Sequence, residues 1–386
     1  MNGGATVVGS LEAVDAAEWD SILLPNRLAQ SHRFHRALAG SKINDCNYRY
    51  FRYRDPSGRL IAHASFYSIS TPLDLFLPRS SPATRLLGGV RRLYPRFLDF
   101  LMVECGSPTT LGYPVAFRPG VPAEQRRDVW NALVRSMDSF SAEKNADLLV
   151  LRDFRDEELP TAAPLVEQGF ACVPNLENTV LRMRWATFDE YLGSLRAHYR
   201  RQVHLNLARG QRAGLRIERV QGFAPMAAEM ARLWRLTHLR SDSYQREVLG
   251  PDYFESLASS LGDRTFATFL RLGSRLVGFT LYLRDDTVLV PSYIGIDYSY
   301  NDEAALVFNA YIDWVRTGID LGVPVMMLGI TTYEPKLRLG AEIERLAIFM
   351  RYRRPRLTPA IAAAYRWMTP QQSRTRHNVF AAGPSA

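Results

Sequence analysis

The order of predicted elements occurs twice along this chain, and this repetition limits its fold more than any other feature. Each half begins with helices, continues with a meander of three antiparallel strands, and ends with a helix, a strand, a short helix and a strand. In the first half the meander starts with strands at 48–53 and 59–68, around a turn at 55–58. In the second half it starts with strands at 264–272 and 275–284. Six elements in the same order indicate a duplicated α/β module.

An amphipathic helix is predicted after each meander, at 123–143 in the first half and 303–317 in the second. Each helix is followed by a compact apolar strand, at 148–151 and 325–328 respectively. A long Arg-rich helix at 188–212 is predicted between the two meanders. The predicted fold is therefore α/β, with two tandem modules that each form a mixed, largely antiparallel sheet flanked by helices.

The repeat divides the chain into three predicted parts. They are a first module at 1–183, a second module at 184–355 that contains the Arg-rich helix, and a basic C-terminal tail at 356–386. A chain of 386 residues is long enough to form two packed cores.

The net charge of +9 is concentrated in two segments. Residues 196–219 contain seven Arg and one acid, and residues 351–386 contain seven Arg and no acid, so the two segments together carry +13 and the rest of the chain −4. Such segments suit phosphate, nucleic acid or anionic lipid. The alternative is a solvated helix face and a frayed tail.

Several classes of protein do not match the sequence. No run of about 18 apolar residues is free of charge, and the start of the chain lacks the basic and apolar segments of a secretory signal. We therefore expect a cytoplasmic protein, or one that lies at the inner face of the membrane. The three cysteines are far apart, the seven histidines form no ligand set, and no GxSxG motif is present. We expect no disulfide framework, no metal and no covalent intermediate.

Residues 272–350 contain a series of short motifs in a fixed order. They are LeuGlySerArgLeuValGlyPheThrLeuTyrLeu at 272–283, TyrIleGlyIleAspTyrSerTyrAsnAsp at 293–302, TyrIleAspTrp at 311–314, LeuGlyIle at 328–330 and TyrGluProLysLeuArgLeuGlyAla at 333–341. In this order they resemble the GNAT acyltransferase superfamily and, more narrowly, tandem GNAT proteins of the FemABX and FemAB-like peptidoglycan-biosynthesis type. The resemblance extends over 188–355 by motif and over 30–183 by order of elements only.

The resemblance implies transfer of an acyl or aminoacyl group from an activated ester or thioester to an amine. Typical GNAT enzymes take the group from acyl-CoA and FemABX proteins take it from aminoacyl-tRNA; an acyl carrier protein is a third possible donor. Typical GNAT enzymes hold pyrophosphate in a Gly-rich loop before a helix, but residues 300–305 here read TyrAsnAspGluAlaAla. This departure argues against a standard CoA site in the second module.

Lys336 is the first catalytic candidate. Only three of the 48 basic residues are lysines, and this one matches the Lys of the FemABX Phe-Lys segment. The resemblance implies that its cation stabilises the oxyanion of a tetrahedral intermediate or a phosphate of the donor. The alternative is a surface Lys on a short helix.

Four further residues are candidates for the reaction site. Asp297 ends a predicted strand and could accept a proton from the amine, or only form a turn. Tyr293 shares its strand face and could donate a proton or line the groove, or belong to the core. Tyr333, as a substrate contact, and Glu334, as a second candidate base, follow the strand at 325–328, where sites of α/β modules commonly lie.

Candidate binding residues lie on the Arg-rich helix and after the helix that follows it. Arg200 and Arg201 belong to a predicted basic face that suits tRNA, a phosphorylated acceptor or an anionic membrane. The segment 351–368, basic and then apolar, also suits a membrane surface. His238 and Tyr244 are predicted to shape acceptor specificity, with a capped helix end as the alternative.

The sequence thus predicts an N-acyltransferase that moves an acyl group from acyl-CoA or an acyl carrier protein to an amine of a small molecule or lipid. An aminoacyl-tRNA-dependent amide ligase is the first alternative. A non-catalytic pair of GNAT modules that binds nucleic acid or membrane is the second. Fold analogy supports the reaction class by association only.

Overall fold

The computed structural model describes residues 4–72, 89–94, 99–240, 246–369 and 377–381. Its strands, in chain order, are β1 (Gly4–Val8), β2 (Asn47–Arg54), β3 (Leu60–Pro72), β4 (Asp99–Cys105), β5 (Val115–Phe117), β6 (Leu148–Phe154), β7 (Ala171–Pro174), β8 (Asn178–Arg182), β9 (Leu215–Val220), β10 (Thr265–Leu272), β11 (Arg275–Asp285), β12 (Val288–Ile296), β13 (Val325–Gly329), β14 (Glu342–Glu344) and β15 (Ala347–Tyr352).

The α-helices used below, again in chain order, are α1 (Ala16–Asp20), α2 (His32–Gly40), α3 (Ala123–Lys144), α4 (Ala163–Glu167), α5 (Phe188–Ser194), α6 (Ala197–Arg212), α7 (Ala227–Arg240), α8 (Pro251–Leu261), α9 (Asn301–Ala304), α10 (Leu306–Asp320), α11 (Tyr333–Arg338) and α12 (Thr358–Met368).

The first unit comprises the described residues of 1–176, 241–248 and 345–371. Its sheet has the order β1-β2-β3-β4-β6-β15-β7, and β5 pairs with β3 beside this path. The amphipathic helix α3 buries Trp130 and Leu133 against one face of the sheet, where Phe51 and Val103 are also buried. The other face packs against α12 through Tyr365. The alternation of side chains along the strands supplies both buried faces.

The second unit comprises the described residues of 177–240, 249–344 and 372–386. Its sheet has the order β14-β8-β13-β12-β11-β10-β9. All the strand pairs in this sheet are antiparallel except β12 with β13. Helix α10 buries Trp314 and Val315 in the main core of this unit. The two mixed sheets with flanking helices confirm the predicted fold class.

The last strands of each half differ from the prediction. The sequence predicted a single final strand in each half, and the structure replaces each with two short strands. Of the first pair, β7 joins the sheet of the first unit and β8 that of the second. Of the second pair, β14 joins the second unit and β15 the first. The two units are therefore not contiguous in sequence, because apolar alternation identifies a strand but not its sheet.

Two predicted helices are also interrupted. The Arg-rich helix at 188–212 is two helices, α5 and α6, because Leu195 is extended (ψ 141°), buried, and bridged to Phe380. The helix at 303–317 is divided by Ala305, which is left-handed (φ 49°, ψ 45°). The start of the predicted tail is the helix α12, packed on the first unit.

Two histidines are buried inside the first unit. His63 on β3 stacks on Trp19 with 3.8 Å between ring centroids, and His35 on α2 meets the edge of the same indole at 5.6 Å. Burial lowers the pKa of His35 to about 3 and the pKa of His63 well below its usual value. Both rings are therefore neutral in the folded protein near pH 7.

We expect the stability of the fold to decrease in mild acid because of these rings. The unfolded chain binds protons on them below about pH 6.5 and the folded chain does not. As pH falls below this value, the free energy of unfolding should therefore decrease by up to about 1.4 kcal/mol per pH unit for each ring. Urea unfolding should show a shallower pH slope for His35→Phe. His204→Phe, at an exposed position, is the matched control for loss of one histidine. An unchanged slope in His35→Phe would contradict this account.

Candidate functional site

Strands β12 and β13 separate soon after they begin to pair. Their parallel ladder has two registered pairs, Val288 with Val325 and Leu289 with Met326. Beyond Leu289, β12 continues along β11, whereas β13 continues along β8 to Gly329. Within the described strands this leaves an opening between β12 and β13 in the middle of the sheet. Near the end of β12 the backbone N–H of Ile296 donates to the hydroxyl of Thr237 on α7 at 2.9 Å.

The opening coincides with an irregularity in β12. The register between β11 and β12 shifts after Leu281, which pairs with Tyr293, whereas Tyr282 pairs with Pro291. Ser292 is therefore the extra residue of a bulge. A bulge of this kind re-aims neighbouring side chains and often lies next to a site.

Lys336 lies on α11, which follows β13. The chain reaches this helix through Gly329 (φ 84°) and Thr332 (φ 55°), and a β-branched residue at positive φ is uncommon. The ammonium group is buried, with the residue 4% exposed, and it donates to the carbonyl oxygens of Gly329 (3.3 Å) and Thr331 (2.5 Å). Burial lowers the pKa of Lys336 to about 7. The alternative interpretation, a surface lysine on a short helix, is therefore wrong for this residue.

Strand β8 holds the turn that carries Lys336. The Asn178 Oδ1 accepts the backbone N–H of Gly329 at 3.2 Å, and the Thr179 hydroxyl donates to the carbonyl of Gly329 at 2.7 Å. Asn178 also donates to Glu344 at 2.9 Å, and Tyr333 donates to the Glu177 carbonyl at 2.6 Å. Asn178, Thr179 and Tyr333 are all buried. Tyr333 therefore fixes the start of α11, and its hydroxyl donates to a backbone carbonyl within the protein.

Glu334 lies on the exposed side of α11. Its carboxylate pairs with Arg338 at 2.9 Å and with His377 at 2.9 Å. These partners, His377 first, lower the pKa of the Glu334 carboxyl. A carboxylate that accepts two such hydrogen bonds is a weaker base than a free one. Arg338 bonds to this residue from one turn away on the same helix.

Asp297 forms a turn, as the alternative prediction had it. One carboxylate oxygen accepts the backbone N–H of Ser299 at 3.2 Å and its hydroxyl at 2.5 Å, at the start of a short 3-10 helix. The side chain is half-buried at the end of β12. Capping of the turn does not exclude a role in proton transfer, because the carboxylate has a second oxygen.

Tyr293 is half-buried on β12, and its ring meets that of Tyr253 edge-on at 5.7 Å. It is thus partly a packing residue. His238 lies near the end of α7 with its ring 4.5 Å from that of Trp234. Tyr244 lies outside the described residues.

The loop before α10 has no pyrophosphate cradle. The Asn301 side chain accepts the backbone N–H of Val307 at 3.1 Å, in the first turn of α10. Asp302 and Glu303 are exposed beside it, and Arg209 donates to the carbonyl of Asp302. A backbone N–H of the helix N-terminus that could bind phosphate is thus already bonded to Asn301. Two carboxylates also lie next to it.

Helix α6 is exposed over most of its surface. Val203 and Gly210 are its buried residues, and Gly210 faces Asn309 of α10 so closely that a Cβ atom would lie 2.8 Å from the Asn309 Nδ2. Arg201 is exposed, whereas Arg200 turns back to donate to the Leu195 carbonyl at 3.1 Å. Arg201 therefore belongs to the predicted basic face. Arg200 contributes less to it, because its guanidinium group is hydrogen-bonded to the backbone.

The structure thus brings together Lys336, Tyr333 and Glu334 on α11, while Asp297 and Tyr293 lie on and after β12. Asn178, Thr179 and His377 contact these residues or their turn, and the sequence analysis missed all three. No local motif marks them, because they come from distant parts of the chain. Among the described residues no group of three His, Cys, Asp or Glu side chains could hold a metal ion. No described helix is long and apolar enough to cross a membrane.

Comparison with known families gives a match over most of the chain. Residues 10–310 match the FemAB-like family, which is described as peptidoglycan biosynthesis/recognition. In sequence, the chain is similar to the putative 8-amino-7-oxononanoate synthase 2 of Mycobacterium tuberculosis, with 27% identity over 324 residues. The alignment covers 83% of this chain and 41% of that relative, so the chain spans about two fifths of the relative's length.

Two solved structures are similar in fold. The crystal structure of FemX superposes with a TM-score of 0.57 at 12% identity and covers 92% of this chain and 100% of FemX. A tandem GNAT protein from the clavulanic acid biosynthesis pathway superposes with a TM-score of 0.50 at 12% identity, over 90% of this chain and 98% of that protein. These likenesses support the tandem GNAT fold.

Burial of the Lys336 ammonium should cost stability. Between pH 7 and 10.5 the unfolded chain holds a proton that the folded chain gives up, so the free energy of unfolding should fall as pH falls through this range. Lys336→Met removes this cost and should raise the free energy of unfolding at pH 7 by about 1–3 kcal/mol in urea titrations. The exposed control Arg338→Met should change it by less than about 0.5 kcal/mol. Clear destabilisation by Lys336→Met would contradict the burial cost.

Proposed function

The chain belongs to the FemAB-like family, and from this membership and the site on α11 we propose that it is an N-acyltransferase. The proposed donor is a thioester, acyl-CoA or an acyl carrier protein, and the proposed acceptor is an amine of a small molecule or lipid. The observation that carries the proposal is the buried Lys336 ammonium, which is bound to the carbonyl of Gly329 at the end of β13, the strand that separates from β12. A buried cation costs stability, so its retention points to a role in chemistry.

The proposed reaction is direct attack. The amine nitrogen bonds to the thioester carbonyl carbon and gives a tetrahedral intermediate whose oxygen carries negative charge. The C–S bond then breaks, the thiolate leaves with the bonding electrons, and the nitrogen loses its extra proton. One amide and one thiol form for each thioester consumed. No covalent bond to the protein is required.

Lys336 is proposed to stabilise the negative oxygen. Its ammonium is held by two carbonyl oxygens on a rigid turn, so it needs no large rearrangement when charge develops. Such preorganisation makes an electrostatic contact effective, more so in a site from which water is excluded. Because burial lowers its pKa to about 7, the ammonium can gain and lose its proton near neutral pH.

Asp297 is the proposed proton acceptor in preference to Glu334. Glu334 is exposed and paired with both Arg338 and His377, which lower its pKa and weaken it as a base. Asp297 lies at the end of β12, and the contacts recorded for its carboxylate come from Ser299. The proton would pass directly or through one water molecule.

The curated relative suggests the kind of acceptor. It is named as a synthase of 8-amino-7-oxononanoate, a compound that carries an amine beside a ketone. Similarity to part of a protein with that name makes amino ketones the first acceptors to test. The compound in that name carries an amine, which is the group that an N-acyltransferase consumes.

An aminoacyl-tRNA donor is the second candidate, and one observation favours it. The first turn of α10 is capped by Asn301 and flanked by two exposed acids, which is unfavourable for the pyrophosphate of CoA. Exposed Arg201 and Arg212 on α6 could instead contact the phosphates of a nucleic acid. On this alternative, Arg201→Ala with Arg212→Ala should weaken tRNA binding and its salt dependence without affecting thioester binding.

Lys336→Ala should lower kcat by about 10², as expected for loss of one group that stabilises the oxyanion. The control Arg338→Ala removes an exposed cation from the same helix and should retain nearly wild-type turnover. Both variants are compared by the rate of amide formation and by thermal unfolding. Equal rates for wild type and Lys336→Ala would exclude the proposed role.

The pH profile distinguishes a charged role for Lys336 from a neutral one. If the ammonium form is active, the rate constant at saturating substrates should fall as pH rises through about 7, because the proton is lost there. Lys336→Arg keeps its charge throughout and should lack this descending limb in any folded, active preparation. A rate that rises through pH 7 only in the wild type would assign Lys336 as a base instead.

A further inference from the structure

The first unit contains a cavity on the face of its sheet opposite α3. Alternate residues of β4 and β6 face away from α3, so that Val103 packs on one side and Met102 on the other. Helix α12 lies over this second face through Ala362 and Tyr365. Between helix and sheet is a cavity of about 90 Å³ with an open mouth.

The lining of this cavity changes character along the strands. Along β4 it runs from Phe100 to Glu104, and along β6 from Leu148 through Val150 to Arg152. The two strands are parallel, with Glu104 opposite Val150, so the apolar residues come first on both. The charged residues come at the carboxyl ends. Four residue steps along a strand correspond to about 13 Å of wall.

The far end of the cavity is a buried ionic cluster. Glu104 accepts from both terminal nitrogens of Arg246, at 2.7 and 2.8 Å, from the Tyr67 hydroxyl at 2.8 Å, and from Arg152 at 3.4 Å. Both arginines and Glu104 are at least nine-tenths buried. Although burial alone raises it, Arg246 and Arg152 hold the pKa of Glu104 at about 2. The carboxylate thus stays charged, and two guanidinium groups share it.

Amide and hydroxyl groups complete the polar end. Asn175 lines the cavity, accepts from the Tyr365 hydroxyl at 3.1 Å and donates to Asp153 at 3.3 Å. Asp153 lies behind the lining, and burial raises the pKa of its carboxyl. A ligand suited to this site is polar at one end and apolar along the rest.

We propose that this cavity binds one long aliphatic chain, that of a fatty acyl compound, with its carboxyl or carbonyl end at Arg152 and Arg246 and its chain along the apolar walls. A sheet on one side and a helix on the other leave room for a single chain. Nucleotides and sugars carry polar groups along their whole length and do not match walls such as Leu148 and Met350. This site is independent of the reaction proposed for Lys336.

One position in the lining can be changed with little risk to the fold. Ala364 lines the cavity from α12 and is nevertheless exposed, so it lies at the mouth. A Trp at this position would occupy the entrance while the core below remains as it is. Ala363 is the next residue on the same helix, is also exposed, and does not line the cavity. Ala363→Trp is therefore the matched control for Ala364→Trp.

The test is calorimetric titration of the whole chain with octanoate, decanoate, dodecanoate and palmitate below their micelle concentrations. If the chain of the ligand is buried, each added methylene that still fits should tighten binding about fourfold. Ala364→Trp should weaken binding of palmitate about tenfold or more, as expected if the ring displaces two methylenes or more. Ala363→Trp should bind palmitate as the wild type does.

Three results would overturn the proposal. They are an affinity that does not depend on chain length, equal binding by wild type and Ala364→Trp, and equal losses in the two Trp variants. The chain-length series uses wild-type protein, so it decides the matter even if Ala364→Trp does not fold. Lys336→Ala should bind palmitate normally. Loss of acyl transfer with retained palmitate binding would therefore bear only on the proposed role of Lys336, and the proposed fatty-acyl site would stand.

Discussion

The site of the second unit depends on two hydrogen bonds that β8 makes to Gly329. Asn178 accepts from its N–H and Thr179 donates to its carbonyl, so both backbone groups are held from the strand side. The same carbonyl accepts from Lys336, which places the ammonium at the end of β13. Without β8 the turn would have neither partner, and the carbonyl that accepts from the lysine would not be held at the end of β13.

This dependence explains why the sequence predicts some features and not others. The meanders, the amphipathic helix α3 and the strand β13 follow from local periodicity, and the rarity of lysine identifies Lys336. Asn178 and His377 could not be found in this way, because they are distant in sequence from α11 and belong to no motif. The sheet that each of β8 and β15 joins is equally invisible, since a strand's side-chain alternation is the same in either sheet.

The two units differ in how they accommodate buried charge. In the first unit Glu104 is surrounded by Arg246, Arg152 and Tyr67, an arrangement in which opposite charges compensate. In the second unit Lys336 donates to two backbone carbonyl oxygens, and burial lowers its pKa to about 7. A compensated cluster suits recognition of a ligand end. A cation with a pKa near neutrality suits a reaction in which charge appears and disappears.

The most direct test of the central claim is product analysis with the unmodified protein. Purified chain is incubated with palmitoyl-CoA or a palmitoylated carrier protein and an amino ketone, and products are identified by mass spectrometry. The account predicts one amide and one free thiol for each thioester consumed, at a rate that depends on protein concentration. Absence of amide from either thioester, with amide formed only from charged tRNA, would contradict the thioester donor. Absence from all three donors would contradict acyl transfer itself.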